Sequence, residues 1–137
     1  MKYSQSRLRH NARRFALQAL YQWHYTSDPS EVLIQQFSVD NPLPQTDVDY
    51  FNMLLTGTIQ HVTEIDAILQ PHLDRAITAL SPVELSVLRL AVFELSHSPE
   101  VPFKVVINEA LELTKEFGTV DGYKYVNAVL DAVRRKE

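Results

Sequence analysis

The sequence predicts an all-α protein of about six or seven helices, on three observations. The stretch Ser81 to Ser96, SPVELSVLRLAVFELS, is well punctuated at its start and apolar on almost every side. The segments before and after it repeat apolar residues at spacings of three and four. No segment alternates apolar and polar residues with the period of two that a strand requires.

The central stretch organises the rest. Ser81 is a good N-cap, Pro82 suits the first helical position, and Glu84 stands three residues after the cap, so both halves of a capping box are available. Val83, Leu85, Val87, Leu88, Leu90, Ala91, Val92, Phe93 and Leu95 point all round the helix, with Arg89 and Glu94 as the main charged interruptions. Such a helix needs neighbours on every side. It is too short for a bilayer, which takes about 20 apolar residues, so the cover is protein.

Before it, a helix is expected from about Asn11 to Tyr25, with Ala12, Phe15, Ala16, Ala19, Leu20 and Trp23 as its core stripe. Ser27, Asp28 and Pro29 end it and open a short second helix carrying Val32, Leu33, Ile34 and Phe37. SVDNPLPQTD then reads as a connecting loop. Thr46 or Asp47 caps a helix striped by Val48, Phe51, Leu54, Leu55, Ile59 and Val62, and Thr63 with Asp66 suggests a further cap and a new short helix limited by Pro71. After the central helix, HSPEVP is a loop. Pro102 opens a helix to about Phe117, with Gly118 as its C-cap, and the last helix runs from about Asp121 to Arg135. Glu109, Glu112 and Glu116 share one face, read as solvated because the Glu-x-x-His partners of a metal-binding bundle are absent.

At 137 residues one domain is expected over 1–137. It opens with a basic tail over 1–10, and the loop SVDNPLPQTD is the nearest thing to a boundary within it. There is no cysteine, which excludes disulfide scaffolds, thiolate metal sites and thiol nucleophiles. The opening MKYSQSRLRH lacks an apolar secretory core, so a cytoplasmic protein without membrane segments is expected. Three glycines, Gly57, Gly118 and Gly122, leave no phosphate-binding loop. The five histidines are scattered, with no pair four apart on one helix face. No catalytic fingerprint occurs, no cofactor is called for, and binding is a better class than catalysis.

Charge is unevenly placed. Residues 1–27 carry Lys2, Arg7, Arg9, Arg13 and Arg14 with no acid, a charge of +5; the net of −4 leaves −9 for the rest. This is the pattern of one edge meeting a polyanion, or else of a solvated terminus. Arg9, Arg13, Leu17 and Tyr21 recur every four residues, which places guanidinium groups and a phenol along one face. Cation and ring together suit RNA, by phosphate contact and base stacking. Tyr21 at the core margin is the competing reading.

The segments LSPVELSVLRLAVFELS and VPFKVVINEALELTKEFGTVDGYKYVNAVLDAV, with the opening RRFALQALYQW, closely resemble the NusB family of bacterial antitermination factors. The likeness runs from about Arg9 to Val133. It implies a fold of two small helical parts, an N-terminal one over about 11–62 and a C-terminal one over about 63–135, and binding of boxA single-stranded RNA together with the ribosomal protein NusE. It further implies a place in the RNA polymerase antitermination complex that suppresses premature termination on ribosomal RNA operons.

Carried over residue by residue, the resemblance gives an RNA surface of Lys2, Arg7, Arg9, His10, Arg13, Tyr21, Asp121, Lys124 and Tyr125. A NusE-facing surface falls on Tyr21, Glu84 and Arg89. His10 and Asn11 stand where family members often have arginine, and Tyr125 where phenylalanine is common. Glu84 is equally a capping residue and Arg89 equally the partner of a buried carboxylate. An apolar helix surface serves either a homodimer or the chain's own core. A NusB-like region also accompanies some ribosomal RNA cytosine methyltransferases, so a helical interaction module without direct RNA binding is the alternative; this chain is expected to act without such an enzyme domain.

Overall fold

The computed structural model describes residues 4–40 and 45–136. Within them are seven α-helices and no strand: α1 Gln5–Thr26, α2 Ser30–Asp40, α3 Val48–Gln60, α4 Val62–Leu69, α5 Pro82–His97, α6 Phe103–Phe117 and α7 Val120–Lys136. Two short 3-10 turns, Gln70–His72 and Ile77–Ala79, join α4 to α5.

The central helix behaves as its composition requires. α5 is wrapped by α1, α3, α4, α6 and α7, and the side chains from Leu85 to Leu88 and from Leu90 to Glu94 are all buried. Its apolar surface is consumed within the chain's own core. The Ser81 hydroxyl accepts the Glu84 amide at 3.1 Å, as the cap demands. The Glu84 carboxylate turns instead towards α7, where a Cβ at Gly122 would meet Glu84 Oε2 at 2.9 Å. The missing Cβ at Gly122 leaves room there for the end of the Glu84 side chain.

Gly57 does the same for α3. A Cβ at that position would lie 2.0 Å from the ring of Phe93, which is almost fully buried. The C-terminal ends of α3 and α5 are thereby drawn together.

Two boundary expectations and one about a helix face need correction. The first helix starts at Gln5 rather than Asn11, so residues 5–10 are helix and not tail. Ser4 caps it, accepting the Arg7 amide at 3.1 Å. Periodicity missed this turn because its stabilising contacts are polar and distant. Asp47 donates its amide to the Leu8 carbonyl at 3.1 Å. Gln5 Nε2 donates to Asp47 Oδ2 at 3.0 Å, and Asn11 Nδ2 to the Gln45 carbonyl at 2.7 Å. The α3–α4 break falls at His61, not at a Thr63 cap. Asp66, expected to complete that cap, pairs with Arg89 on α5 at 2.8–2.9 Å. The glutamates of α6 are not simply a solvated face: Glu109 meets His10 at 2.7 Å and Glu116 meets Arg14, fastening α6 to α1, while Glu112 stays exposed.

Candidate nucleic-acid interface

The side chains singled out for binding fall into three groups. The first surrounds the start of α1. Arg7 is exposed on the first turn. Arg9 is half-buried, with its guanidinium 4.3 Å from the Tyr50 ring centre and 3.8 Å from Asp47. His10 is half-buried against Glu109. Lys2 lies outside the described residues.

Arg13 corrects the expectation of a phosphate-binding cation. Its side chain is only 5% exposed and grips Glu94 through Nε at 2.9 and 3.0 Å and Nη2 at 2.6 Å. Arg13 and Leu17 on this face are both buried, and Arg13 is held to α5 through Glu94. Burial by itself would lower the Arg13 pKa, but the Glu94 carboxylate outweighs it and the guanidinium is held more firmly protonated than usual.

The Tyr50 hydroxyl also donates to Glu94. Burial first, and then this carboxylate, push its pKa up to about 12. A group whose folded pKa is raised holds its proton longer in the native state. Its stabilisation is therefore complete below the ordinary value of 10.0 and is lost as pH climbs through about 12. Tyr50→Phe is expected to flatten the alkaline loss of stability, measured by urea unfolding at intervals from about pH 9 to about 11.5.

The second group gathers where α7 crosses the start of α5. Tyr125 is half-buried at the edge of the α7 core stripe. Its hydroxyl donates to Asp74 Oδ1 at 3.1 Å, and the Arg75 guanidinium lies 4.8 Å from the ring centre. Arg75 also binds Asp74 at 2.7 and 3.1 Å. Lys124 and Asp121 are exposed one and four residues before Tyr125, and Glu84 lies against Gly122 between them. Arg75 belongs to this surface and was missed from sequence. It sits in the turns between α4 and α5, fifty positions from Tyr125, with no periodic signal to tie the two together.

The third group lies on the C-terminal half of α1. Tyr21 and Tyr25 are exposed and meet edge to face at 5.3 Å. With Leu17, Phe37, Val83 and Phe117 they line an open apolar cleft of about 650 Å³. Arg89 is mostly buried and is held by Asp66 with its guanidinium 5.8 Å from the Trp23 ring centre, so its carboxylate-satisfying role is the one seen.

Buried on Glu94, Arg13 therefore shares no exposed surface with Tyr125. Arg13 reaches α5 at Glu94, while the Tyr125 group gathers around Glu84. Ten residues of helix separate these points by about 15 Å. α1 packs chiefly on α2, α3, α5 and α6, whereas α7 packs on α4, α5 and α6.

An all-helical scaffold that offers exposed cations, half-exposed rings and an apolar cleft defines a binding protein. The NusB family model matches residues 10–135, and the chain belongs to that family. It is 59% identical over 128 residues to the transcription antitermination protein NusB of Coxiella burnetii strain Dugway 5J108-111, covering 93% of both chains. The counterpart from Hahella chejuensis is 51% identical over 123 residues, covering 90% of this chain and 83% of the relative. Among solved structures, T. maritima NusB superposes with a TM-score of 0.85 at 26% identity, covering 100% of this chain and 94% of that one. A structure of antitermination factors NusB and NusE in complex with dsRNA gives 0.84 at 29% identity, covering 93% and 96%.

Proposed function

We propose that this transcription antitermination factor binds boxA RNA of ribosomal RNA operon transcripts together with NusE, and that the pair joins the RNA polymerase antitermination complex in the cytoplasm. The observation that carries the reading is the Tyr125 group: a ring at a helix edge, flanked by the cations Lys124 and Arg75 and by the acceptor Asp121. Cation, stackable ring and base-edge acceptor are the parts needed to hold and read an unpaired nucleotide. Arg7 on α1 extends the positive surface, and Tyr21 beside the apolar cleft supplies the NusE-facing side. Glu84, between α5 and α7, links the two. Arg13 and Arg89 support this surface from within as buried and part-buried ion pairs. The protein performs no catalytic step in this scheme.

Labelled boxA RNA titrated at two salt concentrations, with and without NusE, tests it. Because a solved relative carries dsRNA, a duplex of the same sequence is titrated alongside. Arg7→Ala and Lys124→Ala are each expected to reduce the salt slope of log affinity on the single strand by about 0.7. Unchanged slopes in both variants would remove these cations from the interface. Tight binding of NusE with no RNA binding, alone or together, would favour the interaction-module alternative.

A further inference from the structure

We infer that His61 and His97 form a two-imidazole site for a borderline divalent transition metal, of the copper, nickel and zinc class, at the C-terminal ends of α3 and α5. Sequence spacing gives no hint of the pair. The close packing of Phe93 on Gly57 creates it, by bringing those two helix ends together.

The ring centres of His61 and His97 are 4.6 Å apart, with planes inclined by 51°. With metal–nitrogen bonds of about 2.0–2.1 Å, two imidazoles sharing one ion at about 90–110° have ring centres about 4.5–5.2 Å apart. The observed separation falls in that interval. Orientation agrees. His61 Nδ1 lies 2.9 Å from the Gly57 carbonyl, and His97 Nδ1 lies 3.3 Å from the Phe93 carbonyl. A carbonyl can only accept, so in each neutral ring Nδ1 carries the proton and Nε2 keeps its lone pair. A backbone carbonyl fixing the tautomer from behind is the arrangement that metal-binding histidines commonly use.

The Phe93 ring stacks on His97 at 4.4 Å with planes 15° apart, and packs at 5.8 Å from His61. It braces both imidazoles from the core side. His97 is exposed and His61 half-exposed, so an ion can reach them from solvent. Among the described residues no group of three or more His, Cys, Asp or Glu side chains is placed to hold a metal ion. The remaining coordination positions would belong to water, and copper(II) would bind most tightly of the class. The ion would clip the end of α3 to the end of α5 and stabilise the folded state by mass action.

Copper(II) chloride titrated into the whole protein provides the test, read by paramagnetic broadening of histidine ring resonances and by thermal unfolding. His61 and His97 signals are expected to broaden together, at lower ion concentration than those of His24 and His72. The melting temperature should rise with copper in the parent chain. His97→Asn, at an exposed position, is expected to keep the metal-free melting temperature, to weaken copper binding at His61 at least tenfold, and to abolish the copper-dependent rise. His61→Gln should do the same to His97. Independent broadening of the two rings, or undiminished affinity in His97→Asn, would overturn the site.

Discussion

Arg13→Ala is expected to lower the unfolding free energy by about 3–5 kcal/mol, the usual cost of stranding one member of a buried ion pair. The reason lies in what remains behind. Glu94 is 1% exposed and receives three of its hydrogen bonds from Arg13 and one from Tyr50. Without the guanidinium, the carboxylate must either stay charged in an apolar core or take up a proton. Equilibrium urea unfolding at neutral pH measures the loss. The double variant Arg13→Met, Glu94→Leu removes both charges and should recover part of the stability. A deficit below about 1 kcal/mol in the single variant would mean that the pair is solvated in solution.

Tyr125→Ala is expected to weaken single-stranded RNA binding by about 5- to 150-fold, the equivalent of about 1–3 kcal/mol for one lost base–ring stack. Tyr125→Phe separates the ring from its hydroxyl. It keeps the stacking face and loses only the bond to Asp74, so its affinity should stay close to that of the parent chain. Equal losses in both variants would assign the effect to the hydroxyl and to the Asp74–Arg75 turn. Since Tyr125 also packs against the core, circular dichroism and a melting curve accompany each titration. Affinity unchanged in the alanine variant would take the ring out of recognition.

What could be read from the chain follows the range of the interactions involved. The capped, apolar α5 declared itself because its cap and its composition are local. So did Tyr125 at the edge of the stripe Val126, Val129, Leu130 and Val133, which periodicity places correctly on one side of α7. Arg13 was misplaced because what decides its role, Glu94, lies 81 positions away and itself looked like a surface interruption. Every fourth residue of α1 does share a face, but the packing of α5 turns the middle of that face inward. Residues 5–10 look like tail in the sequence for a related reason. They have no apolar stripe, and the groups that hold them helical, Asp47 and the Gln45 carbonyl, come from across a loop. The Arg75–Tyr125 and His61–His97 contacts are likewise purely tertiary.

The bonds between Asp47 and the first turns of α1 bear on how the protein finds its target. An unstructured basic arm could sweep a wide volume and reel in RNA by fly-casting. Residues 4–10 are pinned to the body and have a small capture radius. The rate of encounter is then governed by the long-range field of the folded surface, so it should fall smoothly with ionic strength and respond little to lengthening of the chain ahead of Ser4.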